Sequence, residues 1–225
     1  MYRSETKRII YPSDTHEDFI KKAKAFTEKN EITLLLKGSL ARGTASFYSD
    51  IDIILLSDDN KQINDFIEYC GTPIMINYTQ IPFGIVIAIY QSGLCVDIDI
   101  RKSIAKDDVA ESIFLTKAEP IRLAEKYERN TDYCNEYLIG KPDWYKYLRL
   151  FHRSMSKKLC HKDEEALNLL IEIKDGIHKF IFDDIRWDDE YILDLEHAYQ
   201  LINGKYEVDG KINELYANMI QTIKT

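Results

Sequence analysis

The sequence predicts an α+β fold: an N-terminal mixed-sheet domain followed by a C-terminal helical bundle. Two observations carry this. As far as about residue 130, short apolar runs rich in Ile, Leu and Val alternate with amphipathic stretches and turn residues. After Gly140-Lys141-Pro142-Asp143, apolar residues recur only at helical spacing, first at Tyr145, Leu148, Phe151, His152 and Met155. The boundary falls within 130–142 and divides the chain into 1–138 and 139–225. No internal repeat or low-complexity tract interrupts either part.

The elements follow in order. Ser13 precedes an amphipathic segment with acids early and lysines late, which predicts a capped helix running to about Lys29. Residues 31–37 form a strand ending at Gly38-Ser39, and 39–42 allow one helical turn before Gly43. A strand over 50–56 leads through Ser57-Asp58-Asp59-Asn60 into a helix over 62–70. Strands follow at 74–78, 81–91 and 94–101, the last two joined at Ser92-Gly93. A helix over 107–114 and a short strand over 120–124 close this half. The second half predicts a first helix around 145–155, a longer one from Asp163, and two more at 191–202 and 212–223.

The 225 residues are 45% hydrophobic and 30% charged, the balance of a soluble globular protein. Net charge is −8 with a pI near 5.2. A protein that mainly grips nucleic-acid backbone carries a basic surface, so a nucleic-acid partner is not expected. Cys70, Cys95, Cys134 and Cys160 show no metal-ligand spacing and are expected as free thiols in a reducing compartment. The N-terminus lacks an apolar signal core, and the apolar run 85–90 is too short to cross a bilayer. A cytoplasmic location is therefore expected.

The chemistry concentrates in two stretches. In the first, Gly38-Ser39 opens a helical turn, whose early amides lack intrahelical partners and suit phosphate oxygens. Ser49-Asp50-Ile51-Asp52-Ile53 then places Asp50 and Asp52 on one face of a strand. Two carboxylates that close repel unless a cation lies between them, and Mg²⁺ takes oxygen ligands while leaving positions for substrate phosphates. In the second stretch, Val96-Asp97-Ile98-Asp99-Ile100-Arg101 repeats the alternation. If the two strands lie side by side, their carboxylates converge as a two-metal phosphoryl- or nucleotidyl-transfer site requires.

Gly38-Ser39-Leu40-Ala41-Arg42-Gly43, an interval ending at Ser49, and Asp50-Ile51-Asp52 resemble the signature of the nucleotidyltransferase superfamily that includes DNA polymerase β. The likeness covers roughly residues 30–105. It implies a polymerase β-like fold, with Gly38 and Ser39 on the β- and γ-phosphates and Asp50 and Asp52 on two Mg²⁺ ions. Ile98-Asp99-Ile100-Arg101 most resembles the element that carries the family's third carboxylate. Asp99, favoured over Asp97, would complete the site as metal ligand or base. Arg42 and Ser49 stand where relatives contact the triphosphate. Size, acidity and the helical second half resemble the small bacterial antibiotic nucleotidyltransferases, which act on aminoglycosides and lincosamides. That implies AMP transfer from ATP, a nucleoside triphosphate donor, to a hydroxyl of a small acceptor such as an aminoglycoside-like antibiotic, with release of pyrophosphate. The same motif resembles the minimal nucleotidyltransferases that act as antitoxins beside a helical partner protein, which implies binding or nucleotidylation of a protein partner. A homodimer is also left open.

In the helical half, Glu164, Glu165 and Glu172 are base candidates by location only. Asp183-Asp184 and Asp188-Asp189-Glu190 around Trp187 could line a pocket for a polycation, or form a solvated loop. His178, beside Ile177 and Ile181, is expected to be packed.

Overall fold

The computed structural model describes residues 9–121, 123–181 and 185–225. It divides into two compact units, Met1–Ile139 and Gly140–Thr225. The first is a mixed α/β sheet domain and the second a helical bundle, the architecture that the two hydrophobic periodicities dictate.

The first unit opens with α1 (Asp14–Lys29), whose N-cap Ser13 accepts the amide of His16. The short strand β1 (Leu34–Leu36) runs into the one-turn helix α2 (Gly38–Arg42), which Gly43 ends in the left-handed conformation. After β2 (Ile51–Leu56) comes α3 (Asn60–Cys70), capped by the Asp59 carboxylate. The strands β3 (Met75–Gln80), β4 (Phe83–Ile89) and β5 (Cys95–Arg101) follow. Then come β6 (Ile104–Ala105), α4 (Lys106–Glu111), β7 (Ile113–Thr116), β8 (Leu123–Ala124) and a π-helical turn at Cys134–Leu138.

Six strands form one sheet in the order β3-β4-β5-β2-β1-β7, and β6 pairs with β8 in a second, two-stranded sheet. Within the large sheet β2 and β5 are parallel, while the other neighbours are antiparallel. Alternation divides the two faces. Leu34, Leu36, Ile51, Ile53, Leu55, Val96, Ile98 and Ile100 pack beneath Phe19, Ile20, Ala23 and Phe26 of α1 and Ile63, Phe66 and Ile67 of α3. The opposite face carries a small apolar cluster, Leu35, Ile54 and Ile104, flanked by Leu56, Phe114 and Ile121, and the buried Ile87 and Ile89 of β4. It also has room for polar side chains.

The end of the first unit departs from the sequence expectation. The helix expected over 107–114 stops at Glu111, and 113–116 become the edge strand β7 against β1. Pairing with an open sheet edge suits the apolar, β-branched and aromatic run Ile113-Phe114-Leu115 better than continuing a helix does. The expected strand over 120–124 is reduced to Leu123–Ala124, with residue 122 outside the described residues.

The second unit contains α5 (Asp143–Leu159), α6 (Asp163–Phe180), α7 (Tyr191–Tyr206) and α8 (Gly210–Lys224). Phe151, Tyr199 and Tyr216 meet at its centre, with ring centroids 5.0–6.4 Å apart. Gly176 permits close packing of α6 on α5, because a Cβ there would lie 1.9 Å from the Tyr147 ring. No helix among the described residues is long and apolar enough to cross a membrane.

Candidate active site

The parallel pairing of β2 with β5 sets Asp52 directly beside Asp97. Both point away from the helix-covered core, because their neighbours Ile51, Ile53, Val96 and Ile98 fill it. Asp50 stands one residue ahead of β2. Ligand oxygens of Asp50, Asp52 and Asp97 lie within 4.8 Å of one another, and all three residues are half-buried. The donor set is wholly carboxylate, which matches a hard divalent cation such as Mg²⁺.

The Gly-Ser turn closes over this cluster. Gly38 has φ +66°, and a Cβ there would sit 1.8 Å from Asp52 Oδ2. Only glycine lets the turn approach the carboxylate in that left-handed conformation. The Lys37 amide donates to the Asp52 carbonyl at 2.8 Å and fixes the turn to β2. Ser39 Oγ is buried without a hydrogen-bond partner among the described residues. A buried hydroxyl rarely stays unsatisfied, so this atom marks a place where a polar ligand fits.

Asp99, the residue favoured from the sequence, stands apart from the cluster that Asp97 joins. It lies on the same face of β5 but pairs in register with Ile54, beyond the reach of the cluster. Arg101 holds its Oδ2 through Nε and Nη2 at 2.9 and 2.6 Å. Arg129 reaches Oδ1 and Oδ2 at 2.6 and 3.1 Å. Arg101 also donates to Asp108 at 2.5 Å, and Lys37 Nζ donates to the other Asp108 oxygen at 3.0 Å. The Tyr127 ring stacks 3.6 Å from the Arg101 guanidinium. Burial pushes the Asp108 carboxyl up, but the Lys37 hydrogen bond and the Arg101 charge prevail and hold it below the ordinary range.

The other expected site residues are distributed unevenly. Arg42 is exposed at the end of α2. The Ser49 hydroxyl accepts from the Ser46 amide at 2.9 Å and lies 3.1 Å from Ser46 Oγ, so it shapes the loop ahead of Asp50. In the second unit, Glu172 is exposed and Glu165 pairs with Lys157. His178, expected to be packed, is exposed on α6 and accepts the Trp187 indole N–H at 3.2 Å. Trp187 already carries a cation of this chain, Lys174, 4.9 Å from its ring. Asp183 and Asp184 lie outside the described residues. All four cysteines are free thiols, and burial pushes Cys70 and Cys134 up to about 12.

Sequence reasoning passed over His16, Lys37, Asp108 and Arg129. Arg101 carried a usable signal, since it shares a strand face with Asp97 and Asp99, whereas which of the two aspartates stands opposite Asp52 follows from the register of the strands.

Residues 19–117 match the family model described as the nucleotidyltransferase domain. The matched residues lie within the first unit, which is similar to a nucleotidyltransferase domain. Together with the carboxylate triad, this match supports nucleotidyltransferase catalysis at Asp50, Asp52 and Asp97. Among curated proteins no sequence matches. Among solved structures, the chain is similar to the Thermotoga maritima CCA-adding enzyme complexed with tRNA_CCA, at 14% identity and a TM-score of 0.35. That similarity covers 94% of this chain and 52% of the other, so the chain spans about half the length of that enzyme.

Proposed function

We propose that this nucleotidyltransferase transfers AMP from ATP to a hydroxyl of a small acceptor, an aminoglycoside-like antibiotic being the class to test first, and releases pyrophosphate. The observation that carries the reading is the closure of the Gly38-Ser39 turn on Asp52, with a buried, unsatisfied Ser39 hydroxyl beside the three-carboxylate cluster. Asp50, Asp52 and Asp97 would hold two Mg²⁺ ions. Bound there, the metal supplies charge neutralisation at the phosphates and a more acidic acceptor hydroxyl.

The chain's own groups do the rest. Gly38 keeps the turn low enough for phosphate oxygens to reach both backbone and carboxylates. Ser39 Oγ donates to a phosphate oxygen and so gains the partner it lacks. Arg42, exposed one turn on, is free to swing toward the triphosphate. Ser49 holds the loop that delivers Asp50. Of the carboxylates, Asp97 rather than Asp99 is suited to receive the acceptor's proton. Two guanidinium groups already donate to the oxygens of Asp99, which leaves them engaged within the protein.

Incubation of the full chain with ATP, Mg²⁺ and an antibiotic panel should yield adducts heavier by one AMP, together with pyrophosphate. A nucleotide adduct on a co-purifying protein would move the acceptor to the antitoxin-like class. Pyrophosphate release without any acceptor adduct would mean hydrolysis. Absence of both, with ATP and with the other nucleoside triphosphates, would sink the reading.

A further inference from the structure

We infer that His16 is a positioning residue for the carboxylate cluster, because its imidazole holds the peptide that delivers Asp50. The inference rests on the reading of Asp50 as a metal ligand. Asp52 and Asp97 are fixed by neighbouring strands in a sheet ladder, whereas Asp50 precedes β2 and lies outside it. Its direction depends on the loop before it. Among the contacts that hold that loop are Ser49 N–H to the Ser46 carbonyl at 3.0 Å, the Ser46 amide to Ser49 Oγ, and a contact from α1. The contact from α1 is His16 Nε2, 2.9 Å from the Ser49 carbonyl.

The geometry assigns the protons. A carbonyl only accepts, so Nε2 carries the hydrogen toward Ser49. His16 Nδ1 lies 2.7 Å from Ser13 Oγ, which also accepts the His16 amide at 3.4 Å. In the neutral ring the Ser13 hydroxyl donates to Nδ1. The N-cap of α1 therefore sets the tautomer, and the tautomer sets the donor that grips the residue before Asp50. His16 is 2% exposed, so water does not substitute for either partner. A buried imidazole with both nitrogens engaged, one of them across a sequence separation of 33, is a tether between α1 and the metal-ligand loop. Groups that orient ligands in this way typically contribute about 10–100-fold in metal affinity.

The test is Mn²⁺ binding to the full chain by calorimetry, paired with thermal unfolding. His16→Phe keeps the ring volume and removes the donor. It should weaken Mn²⁺ binding by about tenfold or more. His16→Gln carries an amide N–H in place of Nε2 and should recover most of that affinity. An H16F protein that binds Mn²⁺ as tightly as the wild type overturns the inference. So does an equal loss in H16F and H16Q, which would make the ring a packing element. Where H16F fails to fold, Ser13→Ala and Ser13→Thr take its place, since threonine keeps both the cap and the hydroxyl that orients the ring. Weaker binding in S13A alone supports the tether, and equal binding in the two overturns it. Failure of the site reading looks different: D52N would then bind Mn²⁺ as the wild type does, or the wild type would not bind it, and the inference would fall with it.

Discussion

Asp97 and Asp99 stand two residues apart on the same face of β5, and the fold surrounds them in opposite ways. Asp97 is drawn toward Asp50 and Asp52, carboxylate against carboxylate. Asp99 is drawn toward Arg101 and Arg129, carboxylate against guanidinium, and the chain of ion pairs continues through Asp108 to Lys37. The first arrangement raises the energy of the protein alone and is relieved by a cation from outside. The second is neutralised from within. A face with alternating acids is thus divided into a part open to ligand and a part closed by the protein's own cations. What divides it is which neighbour each residue meets: Asp52 beside Asp97, Ile54 beside Asp99.

The largest effect expected from breaking this contrast is on turnover. Asp52→Asn or Asp97→Asn removes one ligand from a site where metal ions contribute several kcal/mol of charge stabilisation, so kcat/KM should fall roughly 10³-fold or more. Folding stability should hold or rise slightly, because mutual repulsion is relieved. Asp99→Asn should do the reverse, leaving Mn²⁺ binding in place and lowering stability by uncovering two arginines. Parallel Mn²⁺ titrations and urea melts of D97N and D99N separate the two roles. A D99N protein that loses Mn²⁺ and keeps its stability would erase the contrast.

Second in size is Arg101→Met. Arg101 is 2% exposed and holds Asp99 and Asp108 at once. Its removal leaves buried carboxylates without their principal cation, and such losses cost about 3–5 kcal/mol. The urea midpoint should fall accordingly. A shift below about 1 kcal/mol would mean that Arg129 and Lys37 compensate, as they would if the network were solvated.

Gly38→Ala comes next and tests the border between turn and cluster. The left-handed φ costs an L-residue about 1–2 kcal/mol. The new methyl also displaces the Asp52 carboxylate, and a misplacement near 1 Å typically costs about 10²-fold in rate. Activity should therefore fall further than stability does. Equal activity in G38A would show that the turn can lift away without consequence.

The contrast also explains what the sequence could and could not disclose. The Gly-Ser turn and Asp50-Ile51-Asp52 are local in sequence, and both appear in the structure as the pattern implies. Helices and strands with a clean period were legible for the same reason. Choosing between Asp97 and Asp99 needed the register of β5 against β2, and the sequence alternation is identical for either choice. Arg129 reaches Asp99 across 30 positions and Lys37 reaches Asp108 across 71, and no local spacing encodes such pairs. The edge strand β7 was hidden because its partner β1 supplies the reason for it to be extended. His16 looked like any polar residue in the first turn of a helix.

The smallest expected effect comes from Lys37→Met, and it is resolved best by pH. Lys37 is the residue before Gly38, and its ammonium holds Asp108 at the edge of the closed network. At neutral pH its loss should cost about 1 kcal/mol, because the ammonium is partly solvated. Asp108 is pushed up by burial but drawn below its ordinary value of 3.8 by Lys37 and Arg101. A carboxyl with a depressed folded pKa contributes stability above its unfolded value and loses it as pH falls through the folded one. The wild type should therefore lose stability below about pH 4, as Asp108 takes up a proton. In K37M the depression is weaker, so less stability remains to be lost. The gap between the two proteins, measured as urea midpoints from pH 7 down to pH 2, should narrow on the acid side. A gap constant across that range would mean that Lys37 acts through its methylene stem rather than its charge.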